Sequence, residues 1–125
     1  MHRMARILVI DDDSSVRAMI KGALSDEGYE VMEAADGKAG LKCYQNSPAD
    51  LVITDLIMPE KEGIETIMDL RREFPEVKII AISGGSRYGS DSNLRLAERL
   101  GAIRTLAKPF KIPDLLEAVR EVLSD

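Results

Sequence analysis

Several residue types are scarce in this sequence. It has no tryptophan, one cysteine and one histidine among 125 residues. The lone Cys43 cannot form an internal disulfide, which favours a reducing compartment such as the cytoplasm. The lone His2 lies near the N-terminus, where chains commonly fray, so neither a histidine-based metal site nor a catalytic triad is expected.

Long apolar runs and basic clusters are also missing. The first apolar run has only four residues, too few for the core of a signal peptide, and no later run approaches membrane-spanning length. There are 17 basic and 22 acidic residues, which gives a net charge of -5. We therefore expect a soluble, cytoplasmic protein that contacts neither a membrane nor nucleic acid directly.

The length allows one domain, expected over residues 1–125, with no effector domain after it, and the 45% of hydrophobic residues are ample for one core. Five short apolar runs predict strands over residues 6–11, 30–34, 50–55, 77–83 and 103–107. Three of them are continuously apolar in their centres, at 7–10, 51–53 and 79–82. Such runs are typical of parallel strands that are covered on both faces.

Helical patterns fill the gaps between these runs. The clearest places Val16, Met19, Ile20, Ala23 and Leu24 on one face, with Ser14 or Asp13 as N-cap and Gly28 as the end. Further helices are predicted over 36–46, 63–74 and 94–100 and from residue 112 onward. The weakest is 36–46, where only Ala39, Leu41 and Tyr44 suggest a buried side. The alternation predicts an α/β fold, a (βα)5 doubly wound parallel five-stranded sheet.

Polar residues follow the predicted strands where each strand ends, and in such sheets ligands bind at that edge. They are Asp11, Asp12, Asp55, Ser83 and Lys108. Each alone fits a helix cap, a turn residue or a solvated side chain. Together, three close carboxylates would repel one another unless a divalent cation held them, and an all-oxygen donor set favours Mg²⁺.

Mg²⁺ in proteins is usually completed by a phosphoryl oxygen, which points to phosphate chemistry. Lys108 adds a positive charge and Ser83 a hydroxyl donor, both suited to a phosphoryl group in transfer. Asp55, at a strand end before a loop, is the carboxylate best placed to act as nucleophile. We hypothesise that Asp55 becomes an aspartyl phosphate.

The sequence resembles the receiver domain of two-component response regulators over essentially its whole length. The resemblance rests on "ILVIDDD", "ADLVITDLIMPEKEG", "AISGG" and "AKPF", in that order and spacing. It implies a flavodoxin-like receiver fold with strand order 2-1-3-4-5. It also implies a phosphoacceptor signalling domain rather than an enzyme, phosphorylated by a sensor histidine kinase or a histidine phosphotransfer protein.

The resemblance also implies residue roles. Asp55 is the phosphoacceptor, Asp12 a direct Mg²⁺ ligand, and Asp11 a ligand through water. Ile57 would offer its backbone carbonyl to the metal, while Ser83 and Lys108 would contact the phosphoryl group. Asp13 matches no essential position and is interpreted as a helix cap, with surface solvation as the alternative. Loop-shaping positions are Met58, Pro59, Gly63 and Pro109, the last following Lys108 through a cis peptide.

Two features depart from the family pattern. Thr105 stands where the family usually has a tyrosine or phenylalanine that switches rotamer together with the Ser83 position. The loop over 84–93, which contains Tyr88, looks a few residues longer than usual, and loop length costs little free energy. The expected output surface for a downstream effector is formed by the fourth helix, the fifth strand and the fifth helix.

Three alternatives stay open. A pseudo-receiver would keep the fold and bind partners without phosphorylation, as Thr105 and the long loop slightly favour. An aspartate-nucleophile phosphatase would use the Asp-x-Asp spacing of Asp11 and Asp13, but the chain has no room for a cap domain. A flavin-binding module is disfavoured because acidic residues occupy the loop where a phosphate cradle is needed.

Overall fold

The computed structural model describes residues 5–56, 63–83, 95 and 97–124. These residues contain five strands: β1 (Arg6–Ile10), β2 (Glu30–Ala34), β3 (Leu51–Asp55), β4 (Ile79–Ser83) and β5 (Arg104–Ala107). The helices between and after them are α1 (Ser14–Asp26), α2 (Gly37–Asn46), α3 (Gly63–Glu73) and a last helix (Ile112–Leu123). Residues 95 and 97–100 are helical too, within the helix predicted over 94–100.

The five strands form one parallel sheet in the order β2-β1-β3-β4-β5. The alternation of strands and helices was predicted from the residues, and the strand order from the family resemblance. Both are confirmed. No helix in the described part of the chain has the length and apolar character that a bilayer crossing requires.

Each face of the sheet carries its own apolar core, because successive residues of a strand point to opposite faces. On one face, Leu8, Ile10 and Val52 pack with residues of α2 and α3 such as Tyr44 and Ile67. On the other, Ile7, Val9 and Ile53 pack with residues of α1 and the last helix, among them Ile20, Leu24, Leu115 and Val119. This two-sided burial explains why the central strands are continuously apolar in sequence.

The ends of α1 agree with the sequence prediction. Asp13 is the N-cap, and its carboxylate accepts hydrogen bonds from the backbone N–H groups of Ser15 and Val16, at 2.9 and 3.3 Å. Ser14, the other candidate cap, is instead the first helical residue. Gly28 follows the C-terminal end of the helix with a φ of 93°, a backbone conformation that residues other than glycine rarely adopt.

The helix predicted most weakly, α2, forms, but its buried side differs from the prediction. Tyr44 is buried and its ring packs against Phe74 at a centroid distance of 4.7 Å. Ala39 is exposed, so that part of the prediction is wrong. Gly37 and Gly40 are buried instead, and the absence of a side chain at Gly40 lets the helix approach Ile10 of β1 closely.

Candidate metal centre at the carboxyl ends of the strands

The strand registers bring the predicted site residues to one edge of the sheet. Ile10 pairs with Thr54, so Asp11 and Asp55 follow at the same level at the ends of the neighbouring strands β1 and β3. The backbone N–H of Lys108 donates to the carbonyl of Ser83 at 2.8 Å, which joins the ends of β5 and β4. Parallel pairing thus places these four residues together, as predicted.

The carboxylates of Asp11, Asp12 and Asp55 form an acidic cluster in which one oxygen from each lies within 4.8 Å of the others. Asp11 and Asp55 are buried, with 1% and 5% of their surface exposed, while Asp12 is exposed. Close like charges disfavour one another, and a divalent cation would offset that repulsion. The donor set is entirely carboxylate oxygen, and this chemistry fits Mg²⁺ better than a softer metal.

Lys108 bridges the two buried carboxylates. Its Nζ lies 3.2 Å from Asp11 Oδ2 and 3.3 Å from Asp55 Oδ2. Burial by itself lowers the pKa of the Lys108 ammonium, but the charges of Asp55 and Asp11 and the hydrogen bonds to them outweigh it, so the pKa is raised above its ordinary value. Lys108 is therefore a fixed positive charge at this edge. The peptide bond to Pro109 is cis, as predicted.

Asp11 is held through every polar group it has. Its N–H donates to the carbonyl of Ala34 in β2, at 3.1 Å. Its Oδ1 accepts from the backbone N–H of Asp13, at 2.9 Å, and Oδ2 faces Lys108. Its carbonyl accepts from Nη1 of Arg17, at 2.7 Å. The sequence reasoning missed Arg17, because an arginine in an amphipathic helix looks like an ordinary solvated residue.

Ser83 and Thr105, the predicted switch positions, lie on the neighbouring strands β4 and β5. Ser83 is fully buried at the end of β4. Thr105 pairs with Ala81, two residues before the level of Ser83, and is partly buried. It lines a groove of about 340 Å³ together with Phe110 and with Asp114 and Glu117 of the last helix. Thr105, which is smaller than the tyrosine or phenylalanine usual in the family, thus lies beside open space.

Gly63 begins α3 directly against the backbone of the acceptor strand. Its N–H donates to the carbonyl of Leu56 at 2.8 Å. A Cβ at this position would lie 2.0 Å from the carbonyl oxygen of Asp55, so the close approach requires glycine. The predicted positions Ile57, Met58 and Pro59, and the loop over 84–93 with Tyr88, lie outside the described residues.

Comparisons with known proteins agree with this arrangement. A family model described as the response regulator receiver domain matches residues 7–120. The chain is 33% identical to the chemotaxis protein CheY of Thermotoga maritima, over 94% of this chain and 96% of that protein. It superimposes on a CheY-like receiver domain protein from Methanospirillum hungatei with a TM-score of 0.89, at 32% identity, covering 98% of this chain and 95% of the other.

Longer regulators contain a similar stretch. The chain is 36% identical to a probable transcriptional regulatory protein of Picosynechococcus, over 95% of this chain but 49% of that protein. It spans about half the length of three curated transcriptional regulators that it matches, and about a quarter of a fourth. The likeness to these larger proteins covers one part of them.

Proposed function

The chain belongs to the response regulator receiver domain family, and from this premise we propose that it accepts a phosphoryl group on Asp55 in a Mg²⁺-dependent reaction. The proposed receiver unit extends over residues 1–125. Its output is a change in partner binding rather than turnover of a substrate. The observation that carries the proposal is the acidic cluster of Asp11, Asp12 and Asp55 with the ammonium of Lys108 against two of its members.

The proposed metal ligands follow the family resemblance. Mg²⁺ would be held by the carboxylates of Asp12 and Asp55, by Asp11 through water, and by the backbone carbonyl of Ile57. When bound, the ion supplies neutralisation of charge on the phosphoryl oxygens. The chain itself adds a fixed cation at Lys108 and a buried hydroxyl at Ser83.

The proposed transfer joins the phosphorus of a phosphohistidine to a carboxylate oxygen of Asp55. As the new P–O bond forms, the P–N bond breaks, and its electron pair returns to the imidazole nitrogen of the donor. Lys108 then pairs with a phosphoryl oxygen, and the hydroxyl of Ser83 donates to another. Lys108 keeps its proton throughout, because its raised pKa keeps the ammonium charged.

The proposed donor is a sensor histidine kinase or a histidine phosphotransfer protein in the cytoplasm. The proposed effector surface is formed by helical residues 97–100, β5 and the last helix. New bonds from Ser83 and Lys108 to the phosphoryl group would shift this surface between two pre-existing arrangements. Thr105 takes part in that shift without an aromatic ring, and the groove beside it offers room for movement.

Treatment with acetyl phosphate and Mg²⁺ tests the proposal, followed by intact-mass measurement or a phosphate-affinity gel. We expect one phosphoryl group on the wild-type chain, none on Asp55→Asn, and none when EDTA removes the metal. Asp13→Asn is the matched control, because it removes a neighbouring carboxylate yet keeps a good N-cap, and it should be phosphorylated normally.

Three results would contradict the proposal. No reaction of the wild-type chain with acetyl phosphate or with beryllofluoride would favour a pseudo-receiver that binds partners unmodified. A response that survives in Asp55→Asn would place the acceptor elsewhere. Multiple turnovers on a small phosphate ester would instead revive the phosphatase alternative.

A further inference from the structure

Arg17 connects three elements around the loop that follows β1. Its Nη1 donates to the backbone carbonyl of Asp11 at 2.7 Å, and its Nε donates to Glu33 Oε1 at 3.3 Å. Arg17 lies in α1 and Glu33 in β2, so one guanidinium ties a helix and an adjacent strand to the loop that carries the acidic cluster. Only 19% of the Arg17 side chain is exposed, which restricts its freedom compared with a surface arginine.

Glu33 is itself held from two sides. Its Oε2 lies 3.1 Å from Nζ of Lys21, while Oε1 faces Arg17. Arg17 and Lys21 are four residues apart on α1, where two like charges repel each other. The carboxylate of Glu33 lies between them and offsets that repulsion. The three side chains thus form a small network whose inner end is the carbonyl of Asp11.

That carbonyl has a direct geometric link to Asp12. The oxygen of Asp11 and the nitrogen of Asp12 belong to the same planar peptide unit, so fixing the oxygen fixes the plane that leads to the Asp12 Cα. The next residue is fixed as well, because the N–H of Asp13 donates to Asp11 Oδ1. The backbone on both sides of Asp12 is therefore held, although its own side chain is exposed.

We infer that Arg17 is a positioning residue for the metal centre and that Glu33 anchors it there. By holding the peptide between Asp11 and Asp12, Arg17 aims the exposed Asp12 carboxylate at the ion. This inference rests on the proposed function, since it concerns the same Mg²⁺ site. The hydrogen bonds of Arg17 go to a backbone carbonyl and to Glu33, so its proposed effect on the site is exerted by orienting the two aspartates.

The direction in which Mg²⁺ affinity changes when Arg17 is replaced distinguishes a positioning role from a purely electrostatic effect of its charge. Arg17 carries a positive charge close to the proposed Mg²⁺ site. If only Coulomb repulsion mattered, removing that charge should tighten Mg²⁺ binding. Loss of positioning should weaken it, and changes to residues that orient metal ligands commonly cost about tenfold or more in metal affinity. We therefore expect Arg17→Met to raise the dissociation constant for Mg²⁺ by about tenfold.

The test is calorimetric titration of the full chain with MgCl₂, with circular dichroism to show that each variant is folded. Arg17→Lys keeps the charge but loses the planar fork that reaches two acceptors, so its affinity should fall as well. Arg6→Met is the matched control. Arg6 in β1 forms a comparable ion pair with Glu30 in β2, at 3.1 Å, but at the opposite end of the sheet from the metal centre. It should bind Mg²⁺ like the wild type.

Glu33→Gln tests the anchor and serves as the milder variant should Arg17→Met not fold. It should weaken Mg²⁺ binding in the wild-type chain but add nothing in the Arg17→Lys background if Glu33 acts through the guanidinium. Equal weakening in both backgrounds would overturn the anchoring role, because Glu33 would then act through its own charge.

The outcomes distinguish this inference from the proposed function. Unchanged or tighter Mg²⁺ binding in Arg17→Met and Arg17→Lys, with normal binding by the wild type, would overturn the positioning role and leave the phosphoacceptor proposal intact. Failure of the wild-type chain to bind Mg²⁺ would contradict both the positioning role and the Mg²⁺-dependent phosphoacceptor proposal.

Discussion

The ammonium of Lys108 lies 3.3 Å from the carboxylate of Asp55, although the two residues are 53 positions apart in the chain. The same ammonium reaches Asp11, so one cation serves two buried carboxylates. This leaves the cluster with a net negative charge even when Lys108 is fully protonated. A further cation at this edge of the sheet would therefore be electrostatically favoured.

Replacing Lys108 by methionine should destabilise the metal-free protein. Asp11 and Asp55 would stay buried without their common cation, and loss of a partner to a buried polar group costs about 2 kcal/mol. Urea unfolding in EDTA measures this, and added MgCl₂ should restore much of the loss. Lys111→Met, a change at an exposed lysine three residues later, is the control and should have little effect. Equal stability of Lys108→Met and wild type in EDTA would contradict this account.

Asp12→Asn should have the opposite effect on the metal-free protein. Removing one of three like charges within 4.8 Å relieves a repulsion that, for a solvent-exposed group, is on the order of 0.5–1 kcal/mol. The variant should melt higher than wild type in EDTA and gain less from MgCl₂, as differential scanning calorimetry can show. Asp13→Asn removes the same charge outside the cluster and keeps the helix cap, so its melting temperature should barely move. A lower melting temperature for Asp12→Asn in EDTA would be inconsistent with repulsion in the cluster.

Stability should depend on pH through Glu33. The hydrogen bond from Lys21 is the main reason that the pKa of Glu33 lies below its ordinary value of 4.5, with partial burial opposing it and Arg17 adding to it. Because the folded-state pKa is depressed, the ionised carboxylate stabilises the fold above pH 4.5, and that contribution is lost as the pH falls through the folded-state value. Urea unfolding of wild type and Glu33→Gln from pH 3 to 7 should show a gap at neutral pH that closes in acid. A gap independent of pH would mean that the charge of Glu33 does not contribute.

Much of the candidate site could be predicted from the sequence because parallel strands end at one edge. Because the helices act as crossovers that make the strands parallel, a polar residue at the end of each apolar run places Asp11, Asp55, Ser83 and Lys108 at the same edge of the sheet. Asp13 was predictable as a helix cap for a different reason, because capping depends on the local sequence at the start of a helix. The strand order was not predictable in this way, because the residues show only the alternation, and it came from the family resemblance.

The contacts that were missed are those between elements with no local signal. Arg17 and Glu33 each look like solvated residues, and nothing in the sequence says that α1 and β2 bring them together. The apolar face predicted for α1 includes Met19, which is 44% exposed and lines an apolar groove with Val16 and Phe110. The spacing of apolar residues gives no information about glycine, so it did not predict the close contacts that Gly40 and Gly63 make with the sheet.

Gly40→Ala should destabilise the fold through one identifiable clash. A Cβ at this position would lie 2.3 Å from Cδ1 of Ile10 and 2.7 Å from its Cγ1, in a core where overpacking costs about 2 kcal/mol. Ile10→Val removes Cδ1 and should recover part of the loss in the double variant, measured by urea unfolding. Gly22→Ala, with nothing within 4 Å, should instead stabilise α1 by about 1 kcal/mol. Additive losses in the Gly40→Ala, Ile10→Val pair would show that the two side chains do not compete for space.

Gly63→Ala should affect both stability and the metal centre, because its Cβ would meet backbone rather than a side chain. The nearest atoms are the carbonyl oxygen of Asp55, at 2.0 Å, and the Cα of Leu56, at 2.5 Å. No rotamer change relieves such a clash, so α3 and the end of β3 must move apart, at a cost of about 2–3 kcal/mol. Moving the backbone of Asp55 displaces its carboxylate from Asp11 and Lys108, so Mg²⁺ affinity should fall as well. Gly40→Ala separates the two effects, because it strains the core under β1 through a side chain and should leave Mg²⁺ binding closer to wild type. If calorimetric titration instead found equal Mg²⁺ affinity in the two glycine variants, the position of Asp55 would not depend on its contact with Gly63.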